Sequence, residues 1–182
     1  MSGLGPQATS LLAGAAEQLA LDTVDVDDEF PVGTTVQEAR AHLRSLLSDG
    51  HHCPVCGQFA KEYKRKLNAT MVKALSVIYK EMAPGLHYVH GPTVLRGTGI
   101  MGGEVGKLAL FDLVEEKPGK PFGGSRSGHW RVTPKGRAFL QGVLAVPKYA
   151  HVYDGRVLGF SGPSIDVSQV APTFDFKELM KS

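Results

Sequence analysis

A chain of 182 residues with 42% hydrophobic and 21% charged side chains can bury the core of one ordinary domain with appendages, which argues against wholesale disorder. It has no run of about 18 apolar residues, so no membrane span is expected, and the basic start and apolar core of a signal peptide are missing, which points to the cytoplasm. The net charge of +2 conceals a polarity: residues 1–50 hold eight acids and two bases, whereas residues 51–182 hold eighteen bases and ten acids, an arrangement suited to a polyanionic partner.

Taken in chain order, residues 1–33 read as an acidic, partly flexible extension, with an apolar patch from Leu11 to Leu21 able to form a helix before the acidic run Asp22 to Glu29. Residues 34–66 open on a better-marked helix. Thr35 and Glu38 have the capping-box spacing, Val36, Ala39, Leu43, Leu46 and Leu47 recur on one face, and Gly50 supplies the stop. The sequence His51-His52-Cys53-Pro54-Val55-Cys56-Gly57 follows, then the basic run Lys61 to Lys66, which contacts phosphate or forms a solvated helix face.

Residues 67–145 carry the strongest helix, with Leu67, Met71, Leu75, Ile78 and Met82 stepping by three or four until Pro84-Gly85. A short helix is expected near Thr93–Arg96, and another opens at Gly102-Gly103 and runs through Glu104, Lys107, Leu108 and Phe111. Leu113-Val114 starts a strand, Lys117 to Ser127 is a Gly/Pro-rich excursion, and His129 to Val132 alternates as a second strand. Thr133-Pro134 then caps a helix carrying Ala138, Phe139 and Leu140. In residues 146–182, Asp154-Gly155 is a two-residue hairpin turn between Tyr149–Tyr153 and Arg156–Phe160, and Phe174 to Met180 forms a short closing helix.

Leu110, Leu113-Val114 and the run Gly128-His129-Trp130-Arg131-Val132-Thr133-Pro134-Lys135-Gly136-Arg137-Ala138-Phe139-Leu140 resemble the wing and following helix of MarR/PadR-type winged-helix regulators. The aromatic plugs the wing against the core, Thr133 caps the helix and Gly136 permits close packing. The resemblance spans residues 67–142. The segment from Cys53 to Leu140 also resembles small phage and bacterial proteins that pair a Cys-Pro-x-Cys-Gly knuckle with such a domain, a likeness that implies no activity.

The resemblance implies an α+β fold: a winged helix-turn-helix with N-terminal helices, a zinc-knuckle segment and a C-terminal β-hairpin. It also implies double-stranded DNA as partner, as in a phage or bacterial regulator, and a homodimer matching two half-sites. Carried over to this chain, the groove-facing residues are Thr98, Gly103, Glu104 and Lys107, with Arg96 on the preceding helix. Lys117, Lys120, Arg126 and Arg131 of the wing face phosphate, joined by Lys64, Arg65 and Lys66. The chain departs from a strong base reader: its recognition helix has no arginine or asparagine, and Glu115-Glu116 at the start of the wing would repel phosphate. The rival reading is an adaptor that holds another protein.

Cys53 and Cys56 have the spacing of a zinc knuckle, which supplies half of a tetrahedral site. His51 or His52 is the candidate third ligand, and His129, His151 or a second subunit the fourth, for about one zinc per chain. A Cys-x-x-Cys redox site would need a preceding strand and a βαβ frame; two reduced structural cysteines are the plainer alternative. No phosphate loop, Gly-x-Ser-x-Gly elbow or His-Glu-x-x-His motif is present, so the chain does not read as an enzyme.

Overall fold

The computed structural model describes Pro31 and residues 33–82, 87–118 and 127–181. The expected helix at Leu11–Leu21 and the wing residues Lys120 and Arg126 lie outside the described residues. The architecture is α+β. In chain order it runs α1 (Val36–Ser45), β1 (His51–His52), β2 (Phe59–Ala60), β3 (Tyr63–Lys66), α2 (Ala69–Met82), β4 (Val89–His90), α3 (Gly91–Val94) and α4 (Gly103–Leu108). A 3-10 turn at Ala109–Phe111 precedes β5 (Val114–Glu116), β6 (His129–Val132), α5 (Pro134–Leu140), β7 (Val146–Tyr153), β8 (Arg156–Ile165), α6 (Val167–Val170) and α7 (Phe176–Leu179).

The central element is α2. Asn68 Oδ1 accepts the Met71 N–H at 2.9 Å and so starts the helix. Met71, Val72, Ala74, Leu75, Ile78 and Met82 are all buried, a stripe too wide for a helix lying on one neighbour. It is covered by α3, α4, α5 and β6. One antiparallel sheet has the order β4-β6-β5, with Val89 and Glu116 both facing Trp130 across the middle strand. Trp130 is 7% exposed and lies close over Gly91, where an added Cβ would meet the indole at 3.0 Å.

Thr133 joins this sheet to α5: its Oγ1 accepts the Gly136 N–H at 2.9 Å and donates to the Asp112 carbonyl at 2.6 Å. A Cβ on Gly136 would sit 2.1 Å from the Leu113 carbonyl oxygen, so only glycine allows this approach of helix to strand.

A second antiparallel sheet has the order β3-β7-β8. Asp154 and Gly155 turn β7 into β8 with φ of +49° and +70°, as a two-residue turn of this kind requires. Both strands run beyond the expected Tyr149–Tyr153 and Arg156–Phe160. The basic run also departs from the helical alternative: Tyr63–Lys66 is an edge strand, in register with Tyr149–Val152. Nothing local marks it as one, because its pairing partner lies more than 80 residues away. The hairpin is no separate appendage, since Val146, Ala150, Val152 and Ile165 belong to the same buried core as α2. A second, small cluster of Leu43, Leu47 and Ala60 joins α1 to the β1–β2 hairpin, with Cys53 and Tyr153 packed against it.

Candidate nucleic-acid interface and cysteine knuckle

All four residues of β3 are exposed. Strand alternation divides them between two faces. Tyr63 and Arg65 line a cleft of about 700 Å³ whose opposite wall is α4, with Gly103, Gly106 and Lys107. Lys64 and Lys66 share the other face with Tyr149, and the Lys64 ammonium lies 4.2 Å from the centre of the Tyr149 ring. Lys148 lies 5.6 Å from the same ring, and the Arg65 guanidinium 5.2 Å from that of Tyr63. Among the described residues, none of Lys64, Arg65 and Lys66 is in an ion pair. Lys148 and Tyr149 were not legible as site residues, since only the pairing of β3 with β7 brings them to the basic strand.

The groove-facing candidates are less available. Lys107 donates to Glu104 Oε1 at 2.5 Å, so the one cation of α4 is already neutralised, while Glu104 Oε2 is buried without a hydrogen-bond partner among the described residues. Thr98 is exposed and donates its hydroxyl to the Leu95 carbonyl at 2.7 Å; Arg96 and Gly103 are exposed. In the wing, Lys117 is exposed. Arg131, expected to face phosphate, is instead held by Glu115 across the β5–β6 ladder and stacks on Tyr88 with its guanidinium 4.9 Å from the ring. The Glu115 carboxylate holds Arg131 further into its charged form. Glu116 accepts the Gly128 N–H at 3.3 Å. The two glutamates therefore serve the wing's own geometry rather than standing free to repel phosphate.

The cysteine pair occupies the turn of the β1–β2 hairpin. The Cys53 N–H donates to the Gln58 carbonyl and the Gly57 N–H to the Cys53 carbonyl, both at 2.8 Å. Gly57 takes a φ of +70°, which closes the turn. The backbone N–H groups of Val55 and then Cys56 point at the Cys53 sulfur and hold its thiol below the ordinary range, because hydrogen bonds to a thiolate favour the charged form. Both cysteines are free. The motif sits on a two-stranded hairpin and not at the start of a helix in a βαβ unit, the setting that thiol-exchange chemistry needs.

The histidines expected to complete a site are dispersed. The His52 ring lies edge-on to Phe59 with centroids 5.3 Å apart, and His51 meets His42 of α1 at 6.0 Å. The His129 ring lies 5.0 Å from that of His90, its partner in the β4–β6 pairing. His151 is engaged at both nitrogens, by Glu62 and by the Ser161 hydroxyl, the latter at 2.6 Å. Among the described residues, no three His, Cys, Asp or Glu side chains gather closely enough to hold a metal. No helix among them is long and apolar enough to cross a membrane. No family model, curated protein or solved structure matches the chain.

Proposed function

We propose that the chain is a DNA-binding protein of winged-helix type. The order α2–β4–α3–α4–β5–β6, with the late strand β6 inserted between β4 and β5, supports the fold reading: three helices in front of a small sheet whose last two strands form the wing. The observation that carries the functional reading is the row of exposed cations Lys64, Arg65 and Lys66 on an edge strand, none of them in an ion pair among the described residues. Their attraction for phosphate is sequence-independent and salt-dependent. Arg65 lines the cleft beside α4, and Lys117 is a further exposed cation, just after β5. With its only lysine bound to Glu104, α4 contributes little base readout. The protein therefore grips the backbone more than it reads sequence.

The test is fluorescence anisotropy of the full chain against labelled random duplex at rising salt. Binding appears at low salt and falls linearly in the logarithm of salt concentration. Replacing Lys64, Arg65 and Lys66 together with alanine flattens that slope by up to about three units, near one for each lost contact. Lys107→Ala leaves the slope nearly unchanged. No binding at low salt overturns the reading and favours the adaptor, for which Val157, Leu158 and Phe160 offer partly exposed apolar side chains on the edge strand β8.

A further inference from the structure

We propose that the Cys53–Cys56 knuckle is half of a zinc site shared by two copies of the chain, with four thiolates around one ion on a twofold axis. The inference rests on reading the pair as a metal knuckle and adds who completes it. Two sulfurs presented from a tight turn suit a tetrahedral thiophilic ion, and such an ion takes four ligands when its role is structural. The sequence has only two cysteines, and all seven histidines lie among the described residues. None of these joins the two sulfurs in a group of three ligands.

A second knuckle supplies the missing pair with the same chemistry, and a twofold interface needs no new sequence because each copy offers the identical patch. The tip is shaped for such contact. Cys56, Val55 and Gly57 are exposed, Val55 to 62%. An apolar side chain thus stands exposed between the two cysteines, where a solvated turn would ordinarily carry a polar one. The basic strand β3 starts seven residues after Cys56, so joining two knuckles sets two basic edges in one assembly and raises avidity for a polyanion without any new contact.

The experiment uses the full chain, stripped of metal under reducing conditions and titrated with zinc, with mass read by light scattering and zinc by elemental analysis. Half a zinc per chain and a doubling of mass that chelator reverses support the proposal. Val55→Glu keeps both sulfurs and, being at an exposed position, leaves the fold intact as checked by circular dichroism. It is expected to prevent the doubling and to weaken zinc retention at least tenfold. One zinc per chain on a monomer overturns the sharing and leaves the knuckle standing, with a cis ligand such as an acid of residues 22–29. No retained zinc overturns the knuckle itself. A dimer that survives chelation also overturns the proposal, since another surface then holds the copies together.

Discussion

Around α2, a continuous core joins twenty-four buried residues among those described, from the helices and from both larger sheets, while the α1–knuckle segment closes over a small cluster of Leu43, Leu47 and Ala60. The first region can pay its ordering entropy from burial. The second has too few buried side chains to do so over some two dozen residues. Its order leans on a capping box, on N–H groups turned toward sulfur and on contact with Tyr153. A region assembled this way is where a metal or a partner changes most, because binding free energy there becomes folding free energy.

The largest expected effects lie in the big core. Trp130→Ala removes the aromatic that fills the space above Gly91 and should cost about 3–5 kcal/mol in urea denaturation. Gly136→Ala forces a Cβ against the Leu113 carbonyl and should cost about 3 kcal/mol, at the upper end for overpacking. A loss below about 1 kcal/mol for Trp130→Ala would mean the β4-β6-β5 sheet is not part of the core. Next comes Leu47→Ala. It should cost about 2 kcal/mol within its own segment, seen as faster amide exchange over residues 36–60 with α2 protection unchanged. Equal acceleration in α2 would make the two regions one cooperative unit.

How much of this was legible follows from the range of each interaction. The Thr35–Glu38 box, the Thr133–Gly136 cap and the Asp154-Gly155 turn could be read because each is completed within three residues. The period of α2 was equally plain. By contrast, β3 takes its strand conformation from β7, and the two-residue β4 from β6, so neither leaves a local periodic signal. The site suffered most from this. Glu115 read as a repulsive charge because its partner Arg131 is 16 residues away, across a wing whose register the sequence does not state. Lys64 and Tyr149 meet only through the same long-range pairing that makes β3 a strand.

The smallest predicted effect compares the two regions through the same chemistry. Glu38 is held below the ordinary carboxylate range by the backbone N–H and then the hydroxyl of Thr35. Asp166 is lowered likewise by the Ser168 hydroxyl and the Gln169 N–H at the start of α6. A depressed folded-state pKa means that each carboxylate contributes its stabilisation fully above the unfolded value, near 4, and loses it as pH falls through the lowered folded value. Acidification thus weakens both caps. The consequences should differ. Val167 and Ala171 are seated in the large core, so α6 only frays, whereas α1 has Ala39 and Leu43 as its buried residues and should lose amide protection across its length. Two-dimensional NMR between pH 6 and pH 3 reads both helices at once. Glu38→Gln, which preserves the acceptor without the titration, should abolish the pH dependence of α1 and leave that of α6 intact. If α1 and α6 instead lose protection to the same extent, the small cluster holds its helix as firmly as the large core does, and the contrast between the regions fails.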